Sequence, residues 1–214
     1  MGAGQPGIGL NRSTVLAGGG VVGPAVFVAA WAVLGARAEG YDPTRDAISR
    51  LAEVGAASRP VMTAALVALG AGMVLYSNTL RTHLDGGPAW VAALANGVFT
   101  LAVAAVPLGS GHDSLHGVAA GLGYASLAAI PVLAASRLNR RHGRPGWAAA
   151  STATGVVAAL CLAVTLAGAR SGLFQRLGLT VGQAWVVVTA IGLARRPTTS
   201  STTRPAPESE GPRR

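Results

Sequence analysis

Two histidines and an aspartate stand together in Gly111-His112-Asp113-Ser114-Leu115-His116-Gly117. If a helix has begun by His112, the four-residue spacing puts His112 and His116 on one face. Two imidazoles so placed can ligate one metal ion, with the Asp113 carboxylate as a third ligand or as the group that orients a ring. The same trio could shuttle protons, because histidine titrates near neutral pH. It could equally be structural, since Asp113 makes a good helix N-cap beside Ser114 and His116 can hydrogen-bond a neighbouring helix. Zinc held by His112, Asp113 and His116 is one expectation, and the absence of any cofactor is the other.

A second polar stretch runs from Tyr41 to Glu53 and opens on the turn signal Asp42-Pro43. From Asp46 onward it reads as a short amphipathic helix, with Ile48 and Leu51 on one side and Arg45, Ser49 and Glu53 near another. Asp46 and Arg50, or Ser49 and Glu53, are four apart and can meet. Such a helix either lies on a membrane surface or forms the lid or wall of a site. A third stretch, Arg170-Ser171-Gly172-Leu173-Phe174-Gln175-Arg176, carries two guanidinium groups that could pair with Asp42, Asp46 or Asp113, or bind an anionic headgroup. The candidate polar site is therefore Asp46, Ser49, His112, Asp113, His116 and Arg176. Other chemistry lacks its signature: there is no Gly-rich phosphate loop, no nucleophile elbow, and no motif that would make Ser49 or Ser114 a nucleophile. Cys161 stands alone in an apolar run and reads as a small packing residue.

The elements that must position these groups are set by composition. Half of the 214 residues are hydrophobic and only 12% are charged, with a mean hydropathy of +0.46; a soluble domain carries about 25% charged residues. So few charges cannot cover a globular surface unless lipid replaces water around most of it. Apolar runs of spanning length fall at about 14–36, 60–80, 89–108, 114–136, 146–169 and 177–194. The expected fold is all-α: an integral membrane bundle of six transmembrane helices over residues 14–194. It is preceded by a short cytoplasmic N-terminus (1–13) and followed by a disordered cytoplasmic tail (195–214) too polar to bury a face. Ala36-Arg37-Ala38 mimics a signal-peptidase site, but the first apolar run is longer than the 7–15 residues of a signal-peptide core, so it reads as a retained helix.

All seventeen basic residues are arginine, and the net charge is +9. With no aromatic interleaving and no nucleic-acid motif, this charge reads as topogenic and lipid-facing, so membrane lipids are the expected partners and nucleic acid is not. With the N-terminus inside, eleven arginines fall on cytoplasmic segments, including the cluster from Arg137 to Arg144, against six on the outer loops. Both termini are then cytoplasmic, and the three polar stretches share the outer face of a cell membrane. Small residues four apart (Gly19 and Gly23, Gly117 and Gly121, Gly168 and Gly172, Gly178 and Gly182) are compatible with close helix packing in lipid.

Taken in this order within six spans, three segments resemble a family of bacterial and archaeal membrane proteins called Domain of Unknown Function 998. They are Asp46-Ala47-Ile48-Ser49-Arg50-Leu51, His112-Asp113-Ser114-Leu115-His116 and Gly172-Leu173-Phe174-Gln175-Arg176. The resemblance covers nearly the whole chain except its two ends. It implies a six-helix integral membrane protein and supplies no reaction; it also implies an acidic residue where this chain has Gln175. Three classes of function stay open: a non-catalytic protein binding a lipid, an ion or a small molecule; a zinc-dependent lipid hydrolase in which metal-bound water attacks; and a small transporter, which the charge-poor spans and the lack of a visible repeat disfavour.

Overall fold

The described residues form six α-helices and one short 3-10 helix. The computed structural model describes residues 12–142, 145–168 and 170–195. The helices are α1 (Arg12–Arg37), α2 (Arg59–His83), α3 (Ala89–Ala105), α4 (Asp113–His142), α5 (Pro145–Leu166) and α6 (Ser171–Ala194), and the 3-10 turn is Ile48–Ala52. No strand occurs among the described residues. All but α3 are long and apolar enough to cross a membrane. With 17 residues, α3 is roughly 26 Å long at 1.5 Å per residue, a little short of a hydrocarbon core of about 30 Å. Val22, Val118, Leu160, Leu166 and Val188 point outward, as lipid rather than water requires. The protein is a multi-pass membrane bundle. The expected tail, 195–214, lies outside the described residues except for Arg195.

Each helix packs on its sequence neighbour, and α6 closes the ring by lying against both α5 and α1, with further contacts to α4 and α2. Glycine decides how close two of these pairs come. A methyl group added at Gly19 would meet the Gly72 carbonyl oxygen at 2.6 Å, so α1 and α2 touch backbone to backbone. On α6, Gly178 and Gly182 accept the Tyr124 and Leu127 side chains of α4. Gly117 and Gly121 meet nothing within 4 Å, so that pair is spacing without packing. Polar links tie the ring internally: Tyr76 and Thr189 share a hydrogen bond at 2.6 Å between α2 and α6. Trp185 Nε1 donates to Ser151 Oγ at 2.9 Å between α6 and α5, and Asn96 Nδ2 donates to the Gly123 carbonyl at 2.8 Å between α3 and α4. In lipid each such bond contributes about 0.6 kcal/mol on average.

Several element boundaries differ from the sequence reading. The third helix stops at Ala105 instead of 108, because Pro107 lacks an N–H and forces Val106 out of helical geometry (φ −118°, ψ 79°). The amphipathic helix after Asp46 is a five-residue 3-10 turn that buries Ile48, Leu51 and Ala52. The fourth helix runs on past 136 through Arg137 and Arg140 to His142; Arg137 Nη1 donates to the carbonyls of Leu84 (3.4 Å) and Asp85 (3.3 Å), closing the α2–α3 turn. The last helix begins at Ser171, so the stretch expected as a loop is its first two turns. The first loop supplies the hydrogen-bond acceptors that let it start there.

Candidate functional site

The first loop lies across one end of the bundle and is fastened at both of its own ends. Towards α6, Leu173 N–H donates to the Thr44 carbonyl at 3.0 Å and Ser171 Oγ donates to the Arg45 carbonyl at 2.9 Å. Towards the α3–α4 turn, Val54 N–H donates to the Leu108 carbonyl at 2.9 Å. The three polar stretches therefore meet at the same end of the bundle.

Arg176 organises the α6 side. It is only 7% exposed. Its Nη1 donates to the carbonyl oxygens of Pro43 (2.7 Å), Asp46 (2.9 Å) and Gly172 (2.9 Å), and its Nη2 donates to the Tyr41 hydroxyl. The guanidinium also lies 5.4 Å from the ring centres of both Trp31 and Tyr41, where the negative faces of the aromatics stabilise a cation. Among the described residues the ion pairs join Arg45 to Asp42 and Arg50 to Asp46 and Glu53, so Arg176 spends its donors on main-chain carbonyls rather than on the carboxylates expected of it. The planar fork suits this task, since one side chain reaches several fixed acceptors. Burial pushes the Tyr41 phenol above its ordinary pKa, partly opposed by the Arg176 charge and hydrogen bond. Gly172 permits the approach: a methyl group there would meet the Asp46 carbonyl oxygen at 2.5 Å.

One residue earlier, Gln175 Oε1 accepts the Ile48 N–H at 2.8 Å. A carboxylate oxygen could accept the same bond, so the amide fills this role without an ion pair. Asp46 holds the loop's own turn, accepting from the Asp42 N–H (2.8 Å) and from Arg50 Nη1 (3.1 Å). Asp42 Oδ1 accepts from the Thr44 hydroxyl (2.7 Å) and N–H (2.8 Å), and these bonds hold its carboxyl below the usual range.

The 3-10 turn separates two spaces. On its outer side is an open vestibule of about 480 Å³ bordered by Tyr41, Asp46, Arg50 and Glu53. On its inner side is a cavity of about 80 Å³ reaching into the bundle. Ile48 and Ser49 roof the cavity; Asn96 and Thr100 of α3, Tyr124 of α4, and Gln175 and Gln183 of α6 supply its polar wall, and Phe27, Leu66, Leu69, Val103, Leu127 and Leu179 its apolar one. Gln183 is 2% exposed and its amide oxygen has no hydrogen-bond partner.

The histidines stand apart from this arrangement. His112 is exposed and precedes α4, with Nδ1 3.3 Å from the Ser110 carbonyl. His116 is buried, with Nδ1 2.6 Å from the Val106 carbonyl at the end of α3. Asp113 does not cap α4; its Oδ1 accepts the Gly109 N–H at 2.8 Å and closes the turn. The four-residue spacing does not bring the two rings onto a shared ligand, because one ring is turned back onto α3 and the other sits in the turn. Among the described residues no group of three His, Cys, Asp or Glu side chains could hold a metal ion. Of the residues singled out in the sequence, Asp46, Ser49 and Arg176 lie in the first loop and at its α6 anchor, while Tyr41, Asn96, Thr100, Gln175 and Gln183, not among those candidates, border the two spaces. The available signal was the uncharged polar residues inside apolar spans, four apart in Asn96 and Thr100.

Compared with known proteins, residues 21–192 match the model of a family described as protein of unknown function, DUF998. Among curated proteins and among solved structures nothing matches the chain.

Proposed function

The chain belongs to the DUF998 family, and from that premise we propose that it is a binding protein of the cell membrane, which takes a small, partly polar molecule into the bundle from its outer end. One observation carries this reading: the first loop is pinned by Arg176 and Gln175 as a roof over a cavity whose floor holds a buried amide oxygen without a partner. Leaving a buried acceptor unmet costs about 1–3 kcal/mol, which a bound hydrogen-bond donor would recover. The roof is fastened by hydrogen bonds and a small apolar patch instead of a covalent link, so it can lift without unfolding the helices. Asp46, Ser49 and Arg176 then act as lid residues: Asp46 shapes the hinge turn, Ser49 faces the cavity and Arg176 is the latch. The arginine balance supports an outward-facing lid with both termini cytoplasmic, and membrane lipids are the nearest reservoir of ligand.

The test has two arms. A cysteine at Ser49, in a Cys161→Ala background, should react in intact cells with a membrane-impermeant thiol reagent. Labelling only after the cells are opened would overturn the orientation. Native mass spectrometry of detergent-purified protein should show a retained molecule that disappears when Ala120→Leu fills the cavity at unchanged melting temperature. An empty wild-type protein, or a retained molecule indifferent to Ala120→Leu, would sink the cavity as the binding site.

A further inference from the structure

The hydrogen-bond directions around the inner cavity narrow the chemistry of its occupant. Thr100 Oγ1 donates its hydrogen to the Asn96 carbonyl at 2.7 Å, and the Tyr124 hydroxyl donates its hydrogen to the Phe174 carbonyl at 3.3 Å. Asn96 commits an amide hydrogen to the Gly123 carbonyl. What Thr100 and Tyr124 have left for the cavity is lone pairs, and the unpartnered Gln183 oxygen is an acceptor as well. Gln175 is the complement: its oxygen is taken by the Ile48 N–H, so its amide N–H groups are donors on offer, beside the Ser49 hydroxyl and the Gln183 amide N–H groups of the same lining.

No Asp, Glu, Arg, Lys or His lines this cavity. An ammonium group would lose its hydration with no carboxylate to replace it, and a phosphate or carboxylate would find no cation; either desolvation is prohibitive inside a bundle. The cavity is small, about 80 Å³, and suits a polar group of a few heavy atoms. Most of the wall is apolar, which suits the polar end of a lipid whose acyl chains stay outside the cavity in the bilayer.

We infer that the cavity takes an uncharged hydroxyl group: it donates to the acceptors of Thr100, Tyr124 or Gln183 and accepts from the Gln175 amide. The same chemistry is offered by the hydroxymethyl end of a neutral lipid and by a free small polyol. The apolar wall leads us to expect the lipid. This assignment deepens the binding proposal and rests on it.

The experiment uses full-length protein in nanodiscs and measures saturable binding of three radiolabelled probes: dioleoylglycerol, free glycerol, and dioleoyl phosphatidic acid as the charged comparison. Dioleoylglycerol should bind at least tenfold more tightly than phosphatidic acid. The isosteric Thr100→Val should weaken it about tenfold, as should Gln183→Leu, while Thr154→Val on α5, outside the cavity, leaves it unchanged. Tighter binding of glycerol than of dioleoylglycerol would keep the hydroxyl class and replace the lipid by a free polyol. Binding of phosphatidic acid that equals or exceeds dioleoylglycerol, and is lost in Ala120→Leu, would overturn the hydroxyl assignment but leave the cavity a binding site. If no probe binds and the purified protein is also empty, the binding proposal itself falls. Thr100→Val tests the hydrogen bond without a change of volume, so a folding defect in Gln183→Leu would not obscure the result.

Discussion

Arg176→Met removes the latch while keeping an apolar stem of similar length. The carbonyls of Pro43 and Asp46 and the Tyr41 hydroxyl each lose their charged donor; the Gly172 carbonyl is four residues back on the same helix and keeps a backbone partner. A hydrogen bond to a charged group contributes about 1.5–3 kcal/mol. Three of them would give roughly 5–9 kcal/mol if additive, but freed carbonyls at the end of a bundle regain water, so about 3–4 kcal/mol is the expected loss. The lost cation–π contact with Trp31 and Tyr41 lies within that figure. At 1.4 kcal/mol per factor of ten, the loop should open on the order of 10²–10³ times more often. Hydrogen–deuterium exchange of the peptide spanning 41–53 reads this directly, with peptides from α3 and α4 reporting whether the bundle stays folded. Arg176→Lys keeps the charge but not the fork and should recover about half of the protection. Exchange in 41–53 within threefold of wild type in the methionine variant, with the protein still folded, would refute the idea that this side chain holds the loop.

The remaining predictions concern packing, pH and metal. Gly19→Leu should destabilise the bundle by about 1–3 kcal/mol, because α1 and α2 would have to part; Gly18→Leu, with open space around it, should be silent in the same thermal melt. Asp42 is held below its ordinary pKa, so its charged form favours the folded turn. That preference is complete above about pH 4 and is lost as pH falls through the lowered value. Exchange protection at Thr44 should therefore decline in acid relative to the intrinsic rate, and Asp42→Asn should remove this pH dependence. Added zinc should leave the melting temperature unchanged, because His116 is turned onto the Val106 carbonyl while His112 sits exposed in the turn; a zinc-induced rise abolished by His112→Ala would contradict that geometry.

The residue types and their order along the chain were enough to specify a helical membrane bundle. An uncharged run of twenty residues has only one way to satisfy its backbone in lipid, and that constraint acts locally. The polar character of one end of the bundle was legible for a similar reason: charges excluded from hydrocarbon collect where the chain leaves it. Pairing was not legible. His112 and His116 have metal-binding spacing, yet α3 ends early at Pro107 and presents the Val106 carbonyl that takes up His116. Arg176 reads as a loop cation seeking a carboxylate, but the first loop folds its carbonyls onto the start of α6, so a buried turn of helix and a buried arginine stabilise each other. The cavity draws its polar wall from α3, α4 and α6, in which Asn96, Tyr124 and Gln183 are far apart in sequence. Periodicity along one segment says which residues share a face. Only tertiary packing decides what that face meets, because the partners are brought together by the closing of the ring.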